Sequence, residues 1–392
     1  MNRVCQKRPV CEIAGLALGL VGSILYHAEV LGAQATGDQS PSAPKATVGA
    51  YYFDGWAGRN AHAANPNEPW ATNAPTHLTR RMIQEFPERE PTWGWRDDSL
   101  AIMERQIDLA ADHGVKFFAF CWYWHDNAKA INEQAIRDDS LHTGLELFLK
   151  AKNRDRLRFC LLVANHAGFE IKGTNWMQAA DYWLPYFRHP QYFTLGGKPL
   201  VIIFHPQGGD QVGFAYLQGA ARKAGLPGVA LAGCGGGSAE MGYTHRTHYN
   251  IIPGYSAGPE KRVYDELVQA HRTAWKGSRE LPYMPIVTAG WDKRPWEGPR
   301  GLNQPPGWYF PDRTPEQFAH FLRDAIEWMD QHPGETTAER VVLIYAWNEF
   351  GEGGYIAPAK GDPEAGYLSA LRSVLYPTGA TLRAAPSPRA AE

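Results

Sequence analysis

The sequence has few cysteines and almost no net charge, and each shortage excludes a class of function. Only 5 of its 392 residues are cysteine, and 39 basic residues nearly balance 41 acidic ones, giving a formal charge of −2. A nucleic-acid-binding surface requires a local excess of Lys and Arg, which this sequence lacks. We therefore expect no nucleic-acid partner and a substrate that is uncharged or small.

The cysteines do not form the pattern of a metal site. Cys121, Cys160 and Cys234 are widely spaced within apolar runs, where cysteine usually packs as a small hydrophobic residue. They could also form one incidental disulfide bridge, but a framework of disulfides is not indicated. We predict no bound zinc, and we expect no other metal or cofactor.

The N-terminus lacks an apolar run long enough to cross a membrane. The run Ile13–Leu25 has about 13 residues, whereas a spanning helix needs about 20. Basic residues precede it and the small residues Ala33 and Ala35 follow, so residues 1–35 are predicted to be a secretory signal peptide cleaved after Ala35. We expect a secreted or periplasmic protein without stable membrane insertion after cleavage; an uncleaved anchor is the alternative.

Aromatic residues, by contrast, are abundant. The chain has 14 Trp, 18 Tyr and 16 Phe, together with 40 Gly and 29 Pro. Aromatic rings stack well on the C–H faces of sugars, although many of these side chains would serve core packing in any case. The composition thus favours a carbohydrate substrate, an oligosaccharide or a polysaccharide.

Eight strand-like apolar runs follow a polar linker at residues 36–45. They are Thr47–Phe53, Val115–Trp124, Arg158–Ala164, Pro199–Phe204, Gly228–Cys234, Asn250–Tyr255, Tyr283–Trp291 and Val341–Trp347. Continuously apolar strands are buried on both faces, as parallel strands covered by helices are. Segments with helical periodicity lie between most of them. We predict one α/β domain, a (β/α)8 TIM barrel, at residues 46–376, followed by a flexible C-terminal tail at 377–392. A doubly wound open sheet is the alternative, but no GxGxxG motif opens the first helix.

Polar and aromatic residues follow the predicted strands, where the active site of such a barrel lies. Any one of them could instead cap a helix, plug the barrel or make a structural hydrogen bond. The candidate substrate-binding residues are Asp54, Trp56, Trp122, Tyr123, Trp124, His125, Asn165, His166, His205, Tyr255, Trp291, Asp292 and Asn348. Among these, Trp122, Tyr123, Trp124 and Trp291 are predicted to stack on sugar rings.

Two glutamates follow the last predicted strand, in "AWNEFGEGGYIAP". Glu349 would lie at the mouth of the barrel, and a turn at Phe350–Gly351 would bring Glu352 back to it. Paired carboxylates serve glycoside hydrolysis, one as proton donor and the other as base or nucleophile. Their repulsion raises one pKa, so that one stays protonated near neutral pH. The alternative is a salt-bridged Glu349 and a solvated Glu352.

This stretch resembles the W-N-E-W-x-E-G signature of glycoside hydrolase family 99-like domains, which also occur in polysaccharide-biosynthesis glycosyltransferases. The segments "VGAYYFDGW" and "HPQYFTLGGKPLVIIFHP" agree, and the resemblance runs from Val48 to Leu375. It implies an endo-acting, retaining α-mannoside hydrolase chemistry in a (β/α)8 barrel without a metal. Glu349 would be the base that activates the sugar 2-hydroxyl to form a 1,2-anhydro sugar, and Glu352 the general acid and then base. Phe350 and Gly351 depart from the motif, so α-mannan is not assumed as substrate.

Two long segments without a clear pattern, Ala57–Asp98 and Pro295–Pro315, are predicted to form the walls of a cleft. The sequence favours a secreted glycoside hydrolase acting on α-linked glycans, with Glu349 and Glu352 as catalytic residues. One alternative is a glycosyltransferase of surface-polysaccharide biosynthesis, for which neither a DxD motif nor a phosphate-binding loop is found. The other is a carbohydrate-binding barrel without turnover.

Overall fold

The computed structural model describes residues 44–125, 129–277 and 280–377. The predicted signal peptide, residues 36–43 of the predicted linker and residues 378–392 of the predicted tail lie outside these ranges, so those boundaries stay predictions. Within the described ranges, none of the helices combines the length and the apolar character that a membrane crossing requires.

Eight parallel strands form the centre of the fold. They are β1 (Thr47–Tyr52), β2 (Val115–Trp122), β3 (Arg158–Val163), β4 (Lys198–Ile203), β5 (Ala230–Cys234), β6 (His245–Thr247), β7 (Ile286–Thr288) and β8 (Val341–Tyr345). Each strand from β1 to β5 pairs with the next, β8 pairs with both β1 and β7, and all of these pairs are parallel. Between β6 and β7, Arg246 N donates to Pro282 O and Met284 N donates to Arg246 O, each at 2.9 Å. The strands therefore form the predicted (β/α)8 barrel.

The helices lie between the strands in the chain and after the last one. They are α1 (Arg80–Glu85), α2 (Leu100–Asp112), α3 (Glu133–Asp138), α4 (Thr143–Lys150), α5 (Asn175–Phe187), α6 (Gln211–Lys223), α7 (Tyr264–Trp275), α8 (Pro315–Gln331) and α9 (Gly366–Leu375). Local sequence explains several of their ends. Thr314 and Gln317 form a reciprocal capping box at the start of α8, and Gly114 follows α2 with the left-handed φ of 95° that glycine tolerates best.

The sixth strand is not where the sequence pattern predicts it. The predicted run Asn250–Tyr255 is a loop, in which Pro253 lacks a backbone donor and Gly254 has φ 68°. The strand is instead the polar segment His245–Thr247, paired with β5. Only a short 3₁₀ turn, Ala239–Met241, lies between β5 and β6, so no α-helix of this fully described connection covers them. A strand without a helical cover does not need an apolar outer face, which is why the pattern fails here.

Three short pairings complete the sheet structure. Thr194–Leu195 pairs with β4 in the antiparallel direction, and Glu260–Lys261 pairs with Trp308–Tyr309 in the parallel direction. Directly after β8, Asn348–Glu349 pairs antiparallel with Gly354–Tyr355, which makes a hairpin. This hairpin returns the chain to the barrel mouth, as predicted for the Phe350–Gly351 turn.

Candidate active site

A cavity of about 410 Å³, here called the glutamate cavity, opens at the C-terminal ends of the strands. Both Glu349 and Glu352 line it, so the hairpin after β8 brings the two predicted catalytic carboxylates to one place. Neither Arg nor Lys is among its lining residues in the part of the chain that the structure describes. Most of the remaining wall is aromatic and includes Phe53, Tyr123, Phe169, Phe204, Tyr249 and Trp296.

Glu349 lies on the first strand of the hairpin and is only 3% exposed. Its Oε1 accepts a hydrogen bond of 2.5 Å from the Tyr249 hydroxyl, whereas its buried Oε2 has no partner among the described residues. Burial raises the pKa of Glu349 well above 4.5, and repulsion from Glu352 raises it further, while the Tyr249 hydrogen bond acts in the opposite direction. A buried carboxylate oxygen without a partner is costly unless a bound molecule supplies a donor.

Glu352 lies on the turn of the hairpin and is half-buried. Its Oε2 accepts a hydrogen bond from the Tyr345 hydroxyl. Burial raises the pKa of Glu352 to about 7, although the Tyr345 hydrogen bond and the nearby charge of Lys293 both lower it. Because the two glutamates interact, they titrate as a pair, and near neutral pH this pair holds a proton that it can give or take.

Three of the predicted substrate contacts join the glutamates in this cavity, namely Tyr123, His166 and Tyr255. Burial lowers the pKa of His166, so the imidazole is neutral near pH 7. Tyr255 lies over Lys293, whose Nζ is 3.7 Å from the ring centroid. These side chains offer a sugar both flat surfaces and hydroxyl-bonding groups.

Two predicted contacts, Asn165 and Asn348, instead hold neighbouring strand ends together. The Asn348 amide exchanges two hydrogen bonds of 2.8 Å with the backbone of Phe53, after β1. The Asn165 amide does the same with the backbone of His205, after β4, at 2.9 Å. Both amides are occupied by backbone partners, so the structure assigns them to the scaffold. The exposed His205 is also outside the cavity lining.

The tryptophans predicted as stacking platforms or contacts are mostly interior. Trp56, Trp122 and Trp291 are fully buried, and none of them lines the glutamate cavity. Trp122 packs against Trp183 of α5, with ring centroids 5.1 Å apart, because large indoles at strand ends fill the space between strands and helices. Trp291 lies behind the site and contacts the Tyr255 ring at 5.7 Å.

The predicted aspartates also have structural partners. Asp54 accepts a hydrogen bond of 2.6 Å from Gly144 N in the first turn of α4. Asp292 forms ion pairs with Arg89 at 2.5 Å and Arg294 at 2.7 Å. Burial alone would raise the pKa of Asp292, but these two cations lower it. A carboxylate held in this way belongs to the scaffold, and neither aspartate lines the glutamate cavity.

Trp124 and His125 line a different, smaller cavity of about 220 Å³, which shares Tyr123 with the glutamate cavity. His125 Nε2 is 2.5 Å from Asp139 Oδ2. These two predicted contacts, Trp124 and His125, are therefore adjacent to the glutamate cavity and do not line it.

The sequence analysis missed the two tyrosines that contact the glutamates. Tyr249 comes after the true β6, so the misplaced strand hid its position, and Tyr345 lies within β8, where nothing in the pattern distinguishes it from a core residue.

The two long segments do form walls of the cavity, as predicted. The first contributes His77 and the second contributes Trp296. Within the described residues, no three His, Cys, Asp or Glu side chains are grouped as a metal site would require.

Comparison with protein families shows a match over most of the chain. A family model described as Glycosyltransferase WbsX matches residues 92–371. The uncharacterized protein WxcX of Xanthomonas campestris pv. campestris strain B100 is 24% identical over an alignment of 421 positions, which covers 95% of this chain and 54% of that protein. The protein of the same name from strain ATCC 33913 is 23% identical over 322 residues, which cover 70% of this chain and 41% of that protein. The chain thus spans about half the length of the curated relatives it matches.

Solved structures with the same fold include glycoside hydrolases. A glycoside hydrolase-like protein aligns with a TM-score of 0.53 at 13% identity, over 86% of this chain and 95% of its own. The GH99 endo-alpha-mannosidase from Bacteroides thetaiotaomicron aligns with a TM-score of 0.51 at 14% identity, over 86% of this chain and 97% of its own. At these identities the likeness concerns the fold, and the (β/α)8 barrel and the family 99-like resemblance are confirmed.

Proposed function

The chain belongs to the WbsX glycosyltransferase family, and from this premise we propose that it is a glycan-processing enzyme that cleaves α-linked glycosides with Glu349 and Glu352. The observation that carries the proposal is the pair of glutamates, Glu349 buried and Glu352 half-buried, in one aromatic-walled cavity at the C-terminal end of the barrel. A pair of carboxyl groups that titrates near neutral pH can act as acid and base in the same step.

The surroundings of the two carboxylates support different roles. Glu349 is the more buried, and its Oε2 has no partner among the described residues, so a sugar hydroxyl could donate to it. Glu352 is less buried and has a pKa of about 7, which suits a proton donor to the leaving oxygen. Burial and repulsion from Glu352 also raise the pKa of Glu349, so the two side chains compete for one proton. Following the family 99-like resemblance, we assign Glu349 as base toward the sugar 2-hydroxyl and Glu352 as general acid, with the shared proton on Glu352 when the substrate is bound.

In the first step, Glu349 takes the proton of the 2-hydroxyl while that oxygen attacks C1. The C1–leaving-oxygen bond breaks, and Glu352 gives its proton to the departing oxygen. The product is a 1,2-anhydro sugar with Glu349 protonated and Glu352 ionised. This step requires a sugar whose free 2-hydroxyl is trans to the leaving group.

In the second step, Glu352 removes a proton from water as the water oxygen attacks C1. The bond between C1 and the 2-oxygen breaks, and that oxygen recovers the proton from Glu349. Both glutamates return to their starting states, and the configuration at C1 is retained overall after two inversions.

Transfer to a second sugar is the other candidate function, and the family description favours it. If a sugar hydroxyl replaces water in the second step, the same residues form a new glycosidic bond. A nucleotide-activated donor fits less well, because a diphosphate would face two glutamates in a cavity whose described lining holds no Arg or Lys. Transfer between glycans does not need such a donor.

We further propose that the protein acts outside the cytoplasm. The basis is the N-terminal pattern at residues 1–35, which lies outside the described residues. N-terminal sequencing of the protein recovered from the periplasm or medium tests the expected cleavage after Ala35.

The test of activity is release of new reducing ends from a panel of α-linked polysaccharides. We expect release by the wild-type protein, loss of release in Glu352→Gln, and wild-type release in Glu335→Gln, which changes an exposed glutamate before β8 that does not line the cavity. Adding a labelled oligosaccharide distinguishes the two functions, because a transferase lengthens the label. If the wild type and Glu352→Gln bind a glycan equally well, and the wild type neither cleaves nor lengthens it, only the carbohydrate-binding function remains.

A further inference from the structure

A second cavity, of about 500 Å³ and here called the arginine cavity, adjoins the glutamate cavity. It is lined by residues of the two long segments, among them Trp70, Arg80, Arg81 and Arg300, and Leu302 lines both cavities. We propose that the arginine cavity binds an acidic sugar, one that carries a carboxylate, within the glycan whose neutral unit occupies the glutamate cavity. This inference rests on the proposed function.

The arginine cavity has surfaces suited to a sugar ring. Trp70 is half-buried, and its indole N–H donates to the Glu68 carboxylate, which fixes the orientation of the ring. Leu302, between the two cavities, is 39% exposed, so its side chain is accessible to a ligand in either cavity. An indole face and an aliphatic side chain around a polar cavity are typical of carbohydrate sites.

Cationic groups outnumber anionic ones in the arginine cavity. Three arginines face two glutamates, Glu68 and Glu85. Arg81 is already engaged, since it lies 3.1 Å from Glu85 and also donates to the backbone carbonyls of Arg294 and Glu297. Its guanidinium is therefore part of the wall, and the charge available to a ligand must come from the other two arginines.

Arg80 and Arg300 are held only loosely. Arg80 is 3.8 Å from Glu68 and Arg300 is 3.4 Å from Glu85, with side chains that are 56% and 77% exposed. Exposed ion pairs of this length contribute little to stability, so both guanidinium groups can turn to an incoming carboxylate at small cost. A carboxylate between two guanidinium groups forms charge-assisted, bidentate hydrogen bonds.

The two cavities have different electrostatic preferences. The glutamate cavity presents two carboxyl groups and, in its described lining, no Arg or Lys; Lys293 lies nearby, outside that lining, so the glutamate cavity favours an acidic sugar less than the arginine cavity does. The adjoining arginine cavity favours one. A glycan with an acidic unit next to its neutral cleavage unit would therefore bind in one register only, which places the scissile bond at the glutamates.

The proposal is tested by measuring how the full protein binds two small probes, methyl glucuronide and methyl glucoside, in ligand-observed NMR titrations. The test variant is Arg80→Gln/Arg300→Gln, which removes two exposed charges and should fold normally, as circular dichroism can verify. The matched control is Arg188→Gln/Arg222→Gln, which removes two exposed charges from α6 and the end of α5. Turnover is not needed for any of these measurements.

We expect the wild type to bind the glucuronide roughly ten-fold more tightly than the glucoside, in line with one charge-assisted interaction of about 1.4 kcal/mol. This preference should weaken with salt, vanish in the test variant and persist in the control. It should also persist in Glu352→Gln, since the acidic probe does not need the glutamates. Equal binding of the two probes by the wild type, absence of glucuronide binding, or an unchanged preference in the test variant would overturn the proposal.

A pyrophosphate titration separates the two possible sources of negative charge. Binding of pyrophosphate in preference to glucuronide would refute the acidic sugar and indicate the phosphate of an activated donor. A confirmed glucuronide preference without cleavage of any glycan would refute the proposed function and leave the acidic-sugar site in place. The two failures are thus distinguishable.

Discussion

Glu352 should make the folded protein less stable at alkaline pH, because a buried carboxylate must ionise there. We predict that Glu352→Gln, while abolishing turnover, raises the free energy of unfolding at pH 8. Glutamine is nearly isosteric and keeps a carbonyl oxygen that can accept the Tyr345 hydrogen bond. The variant thus removes the charge with little change in packing.

The size and the sign follow from the pKa. Burial raises the pKa of Glu352 from 4.5 to about 7, which corresponds to about 3 kcal/mol. Between these values the folded state binds more protons than the unfolded state, so stability falls as pH rises from about 4.5 through about 7. Above pH 7 the full cost is present in the wild type and absent in the variant, and below pH 4.5 the two proteins should have equal stability.

The assay is denaturant-induced unfolding of wild type and Glu352→Gln at a series of pH values from 4.5 to 8. Glu335→Gln, at an exposed position, is the control for loss of a negative charge and should show no pH-dependent gain. A gain of the same size at pH 4.5 and pH 8 would mean that ionisation is not the cause. No gain at pH 8 would show that the carboxylate is well solvated, which would remove the basis for assigning it as a general acid.

Three other substitutions test separate contacts. Tyr249→Phe removes the hydrogen bond that lowers the pKa of Glu349, so the acidic limb of the pH–rate profile should move to higher pH, with activity near pH 6 reduced roughly ten-fold. Lys293→Met removes a cation that lowers the pKa of Glu352, so the alkaline limb should move to higher pH; an unchanged limb would exclude this coupling. Asn348→Ala leaves a buried backbone amide and carbonyl unpaired, and thermal and denaturant unfolding should show a loss of about 2–3 kcal/mol.

The barrel and the glutamate pair could be predicted from the sequence because each has a strong local signal. Seven strands are continuously apolar and alternate with amphipathic helices, and Glu349 and Glu352 follow one of those strands directly. The sixth strand has no such signal, because His245–Thr247 is polar and lacks a covering helix. Its misplacement concealed Tyr249, whose contact with Glu349 joins residues about a hundred positions apart in the chain.

The polar residues at the strand ends could not be sorted from the sequence, because position alone does not say which partner a side chain has. Asn165 and Tyr123 both follow apolar strands, yet the asparagine bonds to the backbone of the next strand and the tyrosine lines the cavity. The interior position of Trp122, a predicted stacking residue, has a related cause. The large, mostly apolar indole of a strand-end residue is stabilised by burial between strands and helices, and Trp122 is buried in that way.

Both departures from the family 99-like motif are buried in the packing around the hairpin, and that packing explains the glycine. Phe350 is fully buried, with its ring 5.5 Å from that of Trp56 and 4.9 Å from that of Tyr355. A Cβ atom at Gly351 would lie only 2.0 Å from Cε2 of Trp296, so only glycine permits this indole to come so close. Trp296 belongs to the second long segment and lines the glutamate cavity. The glycine between the two glutamates therefore admits a side chain from a distant loop as a wall of their cavity, and substrate selection at this wall depends on that loop as well as on the motif.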